Sequence, residues 1–132
     1  YKVHQRVAAT FRKGRVFLAG DAAHVNNSVG GLGLNGDILD GMELSDTLHR
    51  VITREAGEGL LDRYTRRRRT LNIQFVQEQT ILNKMRLEER DAKARQARFD
   101  ELRALAEDPI KHKEFLLRTS LIASVRKAQS ME

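Results

Sequence analysis

The sequence predicts an α/β arrangement in which short strands are followed by a mostly helical C-terminal region. Three observations carry this. Val16-Phe17-Leu18-Ala19 is a continuous apolar run of strand length between Gly14 and Gly20, the pattern of a strand buried on both faces. Gly30, Gly31 and Gly33 crowd together just ahead of a helical periodicity. From Leu34 onward that periodicity is nearly unbroken, with Pro109 the only proline. At 132 residues the chain is one domain or part of one. It has no cysteine, which excludes a disulfide framework and thiolate chemistry.

The first strand ends in Gly20-Asp21-Ala22-Ala23-His24. Gly20 permits a sharp turn, and Asp21 follows at the carboxyl end of the strand, where open α/β folds place ligands. A carboxylate there can accept hydrogen bonds from sugar-like hydroxyls, and two alanines leave room against the main chain. Asp21 can equally well cap the turn. The glycine block, Gly30-Gly31-Leu32-Gly33-Leu34-Asn35-Gly36, costs chain entropy. It feeds the N-terminus of a helix, where unpaired N–H groups and the dipole favour a phosphate or the electron-rich edge of a ring. That helix begins near Leu34 and has Ile38, Leu39, Met42, Leu44, Leu48 and Ile52 as its apolar face. Gly31 to Gly36 also matches G-x-G-x-x-G. No separate NAD site follows, because a Rossmann strand runs straight into the first glycine and here a loop intervenes.

Gly57 and Gly59 break the helix after Arg54. A long helical stretch is predicted from Leu60 toward Glu107. Its seam of Leu71, Phe75, Leu82, Met85, Ala92, Phe99 and Ala106 is interrupted by Glu78, Glu89, Gln96 and Arg103. Asp108-Pro109 ends that stretch. A last helix is predicted over Lys111 to Arg126, with Phe115, Leu116, Leu121, Ile122 and Val125 turned inward. The chain thus divides into a front unit, residues 1–56, and a helical region, residues 57–132.

Several function classes are set aside. No apolar run approaches the length of a membrane span. The net charge is +6, but the arginines around 66–69 and 86–98 are interleaved with acids, and aromatic residues are few. That suits a solvated helix face rather than a nucleic-acid surface. The histidines lack metal-ligand spacing, and Asp21, His24 and Ser28 sit on one loop without a nucleophile elbow. No metal and no catalytic side chain is assigned. A signal peptide is not recognised, and a cytoplasmic location is expected.

From Gly14 to Leu48, through the Gly20-Asp21 and Gly30-to-Gly36 blocks, the chain resembles the second cofactor-binding segment of the FAD-dependent aromatic-ring monooxygenases, the family of para-hydroxybenzoate hydroxylase. The weaker likeness extends from Tyr1 to Arg68, with the front strand Tyr1 to Ala8 at one end and Tyr64, Arg67 and Arg68 at the other. The resemblance implies the C-terminal part of a two-segment FAD-binding fold. It implies that Asp21 holds ribityl or ribose hydroxyls, and that Gly31, Gly33, Leu34 and Asn35 run along the isoalloxazine ring with main-chain N–H groups near its O2 and N1. It further implies NADPH or NADH as reductant, O2 as co-substrate and a small aromatic substrate. An N-terminal FAD-binding portion beyond this chain is then a required partner, a homodimer is an open option, and His24 makes a structural hydrogen bond.

Three residues depart from the family pattern. Ser28 replaces a proline, Asp37 a glycine and Gly41 an alanine. Asp37 is expected to lower the flavin reduction potential. Two other classes stay open: another flavin enzyme of the same fold, such as a halogenase or reductase, and a non-catalytic helical interaction module. Alone, the chain is expected to hold FAD weakly and to aggregate, because the Val16–Ala19 strand exposes unpaired edges.

Overall fold

The structure is a computed structural model that describes residues 4–131. The expected strand over Tyr1–Ala8 therefore lies partly outside the described residues. Its remainder contributes β1 (Arg6–Val7), which pairs antiparallel with β4 (His24–Val25), Val7 facing His24. Between them β2 (Arg12–Lys13) and β3 (Val16–Phe17) form a second antiparallel pair. Gly14, with φ 61°, makes the tight reversal between β2 and β3.

The expected doubly buried strand over Val16–Ala19 is shorter and more open than its composition suggests. Val16 is 67% exposed, while Phe17 and Leu18 pack on Phe11 and Tyr64. The cause is architectural: β3 is two residues long and pairs only with β2, so its Val16 end meets solvent while Phe17 and Leu18 reach the Phe11 and Tyr64 cluster.

Five further turns and helices set the site. A 3₁₀ turn, Gly20–Ala22, leads from β3 to β4. Helix α1 (Leu32–Ile52) starts two residues ahead of the expected Leu34. Helix α2 (Gly59–Leu71) passes through a π-helical segment, Asn72–Gln77, into α3 (Glu78–Glu88). The buried face of α1 is Leu32, Gly36, Asp40 and Thr47, whereas Ile38 and Met42 of the expected apolar face are more than half exposed. Close approach decides this. A Cβ on Gly36 would stand 3.5 Å from Val76, so the small and polar face of α1 lies against the π segment. The core there is Leu32, Leu71, Phe75, Val76 and Leu121.

The single stretch expected from Leu60 to Glu107 is two rods. Glu89 and Asp91 are extended, and Asp91 caps α4 (Ala92–Glu107), accepting from the N–H groups of Lys93 and Ala94 at 3.2 Å. Leu82 and Met85 of α3 then share a groove with Ala94 and Ala97 of α4, so the seam folds back on itself. Asp108 caps α5 (Pro109–Thr119), whose first residue is Pro109.

The expected last helix is also divided. Leu121 adopts φ 62°, and α6 (Ile122–Ser130) begins after it. This left-handed residue buries Leu121 in the core with Leu32 and Phe75, which offsets the backbone strain. Leu116, Ile122 and Val125, expected to face inward, are left exposed.

Candidate functional site

The site is built around a carboxylate that sequence reasoning did not single out. Asp40, on the buried face of α1, is fully inaccessible. Its Oδ2 accepts from the Gly20 N–H at 3.1 Å and meets His24 Nε2 at 2.7 Å. Its Oδ1 accepts from Arg68 Nε at 2.6 Å. Arg68, buried on α2, also donates to the Gly36 carbonyl at 3.4 Å. Burial alone would raise the pKa of Asp40, but the His24 hydrogen bond and the Arg68 guanidinium outweigh it and hold the carboxyl below its usual range. The 3₁₀ turn, β4, α1 and α2 are thereby tied to one group. Tyr64 adds a tie from α2 to the strand end, its hydroxyl donating to the Leu18 carbonyl at 2.8 Å. Burial pushes that phenol's pKa up.

Gly20, with φ 59°, turns the chain so that its own N–H faces Asp40 while Asp21 lies exposed at the surface. Asp37, one turn ahead of Asp40 on α1, packs on this turn: a Cβ on Gly20 would stand 3.3 Å from the Asp37 side chain. Asp37 Oδ1 and His24 Nδ1 are 3.9 Å apart, and both are buried without a hydrogen-bond partner. Burial raises the Asp37 pKa, the charges of Asp21 and Asp40 add to the rise, and His24 opposes it.

The glycine block supplies the other half. Gly30 and Gly31 have φ 100° and 65°, and the Gly31 N–H donates to the Ser28 carbonyl at 3.2 Å. Gly31 is the N-cap of α1, and no side chain caps that end. The amides of Leu32, Gly33 and Leu34 are therefore orphan donors of the first turn. A Cβ on Gly31 would meet nothing within 4 Å, so the main chain is open to approach there. The Leu34 and Asn35 side chains are exposed, and the Asn35 amide donates to the Gly31 carbonyl at 3.4 Å.

All five residues singled out from the sequence are thus gathered around one end of α1. Gly31, Gly33, Leu34 and Asn35 form its cap and first turn, and Asp21 stands beside its second turn. Asp40 and Arg68 were missed as a pair, because each contacts partners remote in sequence. The available signal was an acid on a helix face that must be buried. Among the described residues no group of His, Cys, Asp and Glu side chains could hold a metal. No helix there is long and apolar enough to cross a membrane.

A buried clamp thus holds the Gly20-Asp21 turn beside a glycine-started helix whose N-terminus has no side-chain cap, an arrangement with the chemistry to meet an anionic or hydroxyl-rich ligand. Residues 1–79 match the FAD binding domain family, and the chain belongs to that family.

Among curated proteins, the para-nitrophenol 4-monooxygenase of Pseudomonas sp. (strain WBC-3) is 46% identical over 91 residues, which cover 69% of this chain and 23% of that protein. The 6-hydroxy-3-succinoylpyridine 3-monooxygenase of Pseudomonas putida (strain DSM 28022 / S16) is 46% identical over 76 residues, 58% of this chain and 19% of that one. Among solved structures, p-nitrophenol 4-monooxygenase from Pseudomonas putida DLL-E4 superposes with a TM-score of 0.81 at 40% identity, covering 89% of this chain and 30% of that one. An aklavinone-11 hydroxylase in complex with FAD and aklavinone gives a TM-score of 0.59 at 38% identity, covering 61% of this chain and 15% of that one. The chain spans less than a quarter of the length of the curated relatives it matches here.

Proposed function

We propose that this chain is the second FAD-holding segment of a longer flavoprotein monooxygenase that hydroxylates a small aromatic substrate with NAD(P)H and O2. The observation that carries the reading is the clamp of Gly20, His24 and Arg68 on Asp40, which holds the Gly20-Asp21 turn against the second turn of α1, the helix whose N-terminus has no side-chain cap. The names of the relatives, nitrophenol and pyridine monooxygenases, support the reaction class. Asp21 would accept from sugar hydroxyls of the cofactor, and the backbone at Gly31, Gly33, Leu34 and Asn35 would run along its ring, with the free N–H groups of Gly33 and Leu34 as donors. Bound FAD supplies the hydride acceptance and oxygen activation. The chain's own residues bind and orient, and their donors are fixed before the ligand arrives, which lowers the cost of ordering them.

The reading includes a front unit over residues 1–56 and a helical region over 57–132, with α2 serving both through Tyr64 and Arg68. It also includes an N-terminal FAD-binding portion in the same polypeptide and a cytoplasmic location, with a homodimer as an open option.

The test is to express the longer polypeptide that carries this segment and to measure bound flavin and phenol-stimulated NAD(P)H oxidation with recovery of hydroxylated product. We expect stoichiometric FAD, and an Asp21→Ala variant with FAD affinity weakened about tenfold or more, the scale of a lost charge-assisted hydrogen bond. A protein that carries no flavin, or an Asp21→Ala variant with unchanged affinity, overturns the reading.

A further inference from the structure

The segment from Val25 to Gly30 joins β4 to the N-cap of α1, so it sets where the first-turn donors stand. Its polar groups are satisfied chiefly by one element, the end of the π segment and the start of α3. Gln77 Nε2 donates to the Val25 carbonyl at 3.2 Å. Asn27 Nδ2 donates to the Thr80 carbonyl at 3.0 Å and to Gln5 Oε1 at 2.9 Å. Gln5 Nε2 in turn donates to Thr80 Oγ1 at 2.6 Å and to the Gln77 carbonyl at 3.1 Å. Asn27 Oδ1 accepts from the Val29 N–H at 3.1 Å.

The last link is Asn83. Its Nδ2 donates to the Val29 carbonyl at 3.3 Å, and its Oδ1 accepts from Gln79 Nε2 at 2.9 Å. The same amide lies over Gly30, so close that a Cβ there would collide with it. The bare backbone of Gly30, at φ 100°, is what lets Asn83 sit there. Gln77, Thr80 and Asn83 recur every third residue and so share one face of the rod. The π segment turns this face relative to the α2 face that carries Tyr64 and Arg68, because extra residues in a turn rotate everything beyond them. One continuous rod thus holds both sides of the site, with Arg68 on the Asp40 clamp and Asn83 on the glycine turn.

We infer that Asn83 is a positioning residue: braced by Gln79, it fixes the Gly30–Gly31 turn and through it the cofactor-facing amides of α1. This rests on the FAD reading above, and the experiment separates the two. In the longer polypeptide, Asn83→Ala is expected to keep its secondary structure and melting midpoint close to the parent. Its FAD affinity is expected to fall about three- to tenfold, with a change in the vibrational fine structure of the bound flavin's visible absorption. Gln79→Ala is expected to show a smaller change of the same kind, and it supplies the readout if Asn83→Ala does not fold. Unchanged affinity and spectrum overturn the inference, as does a fall in melting midpoint with the spectrum intact. If the parent protein binds no FAD, the FAD reading fails by itself. Hydrogen exchange of the Gly30 to Leu34 amides then decides the positioning role: faster exchange in Asn83→Ala sustains it, and equal exchange overturns it.

Discussion

At the scale of single residues, Asp40 and Asp37 respond oppositely to the same surroundings. Asp40 has three hydrogen-bonding partners, and its pKa in the fold lies below its ordinary 3.8. Its contribution to stability is therefore present above that value and is lost as pH falls through the depressed one. Replacing it leaves Arg68 buried without its counter-charge. Asp40→Asn is expected to cost about 3–5 kcal/mol, measured by denaturant unfolding of the longer polypeptide near neutral pH.

Asp37 has its pKa raised above 3.8, so the fold favours its protonated form. Stability is then highest below the unfolded value and declines as pH rises through the raised one. Asp37→Asn is expected to raise the melting midpoint more at pH 7 than at pH 4; an equal gain at both would contradict it. A charge there also disfavours electron gain on a nearby flavin, so Asp37→Gly is expected to raise the flavin reduction potential, and an unchanged potential would count against that. The turns at Gly20-Asp21 and at Gly30-Gly31 were legible because their signal is local: a strand end, a run of small residues. The partners of Asp40 lie 16, 20 and 28 positions away, and no local pattern announces such a pairing.

At the scale of elements, periodicity placed helices well and their faces and breaks less well. The helix after the glycine block, the cap and proline at Asp108-Pro109, and the gap around Gly57 and Gly59 are where local chemistry puts them. The buried face of α1 is different, because Gly36 and Asp40 are buried for contact and charge rather than for hydrophobicity. Likewise the kink at Leu121 exists to seat one side chain in the core, which no helical repeat encodes.

The packing of α1 on the π segment can be tested through Gly36. Alanine there makes only an ordinary contact with Val76 and gains helix propensity of about 1 kcal/mol, so it should be tolerated. Gly36→Leu overfills the contact and should destabilise by about 1–3 kcal/mol. Equal midpoints for the two variants would show that the helices do not meet there.

At the scale of the whole molecule, what the sequence could not show is what surrounds this segment. Leu34, Ile38 and Met42 make an exposed apolar stripe along α1, and β3, paired only with β2 among the described residues, has an open edge. Such surfaces are liabilities on a free protein. The isolated chain is expected to self-associate, and sedimentation of a monodisperse, cooperatively melting monomer would contradict that. The fold class was legible because the strand, turn, glycine block and helix follow one another without interruption. The short, one-sided strands were not, because strand burial depends on what packs around the sheet.

The central claim, that the Gly20-Asp21 turn and the first turn of α1 together hold FAD, is tested most directly by a crystal structure of the longer polypeptide grown with FAD. The expected result is a cofactor hydroxyl on Asp21 and the flavin ring edge against the amides of Gly33 and Leu34. FAD bound elsewhere, with Asp21 and these amides facing solvent, would contradict it.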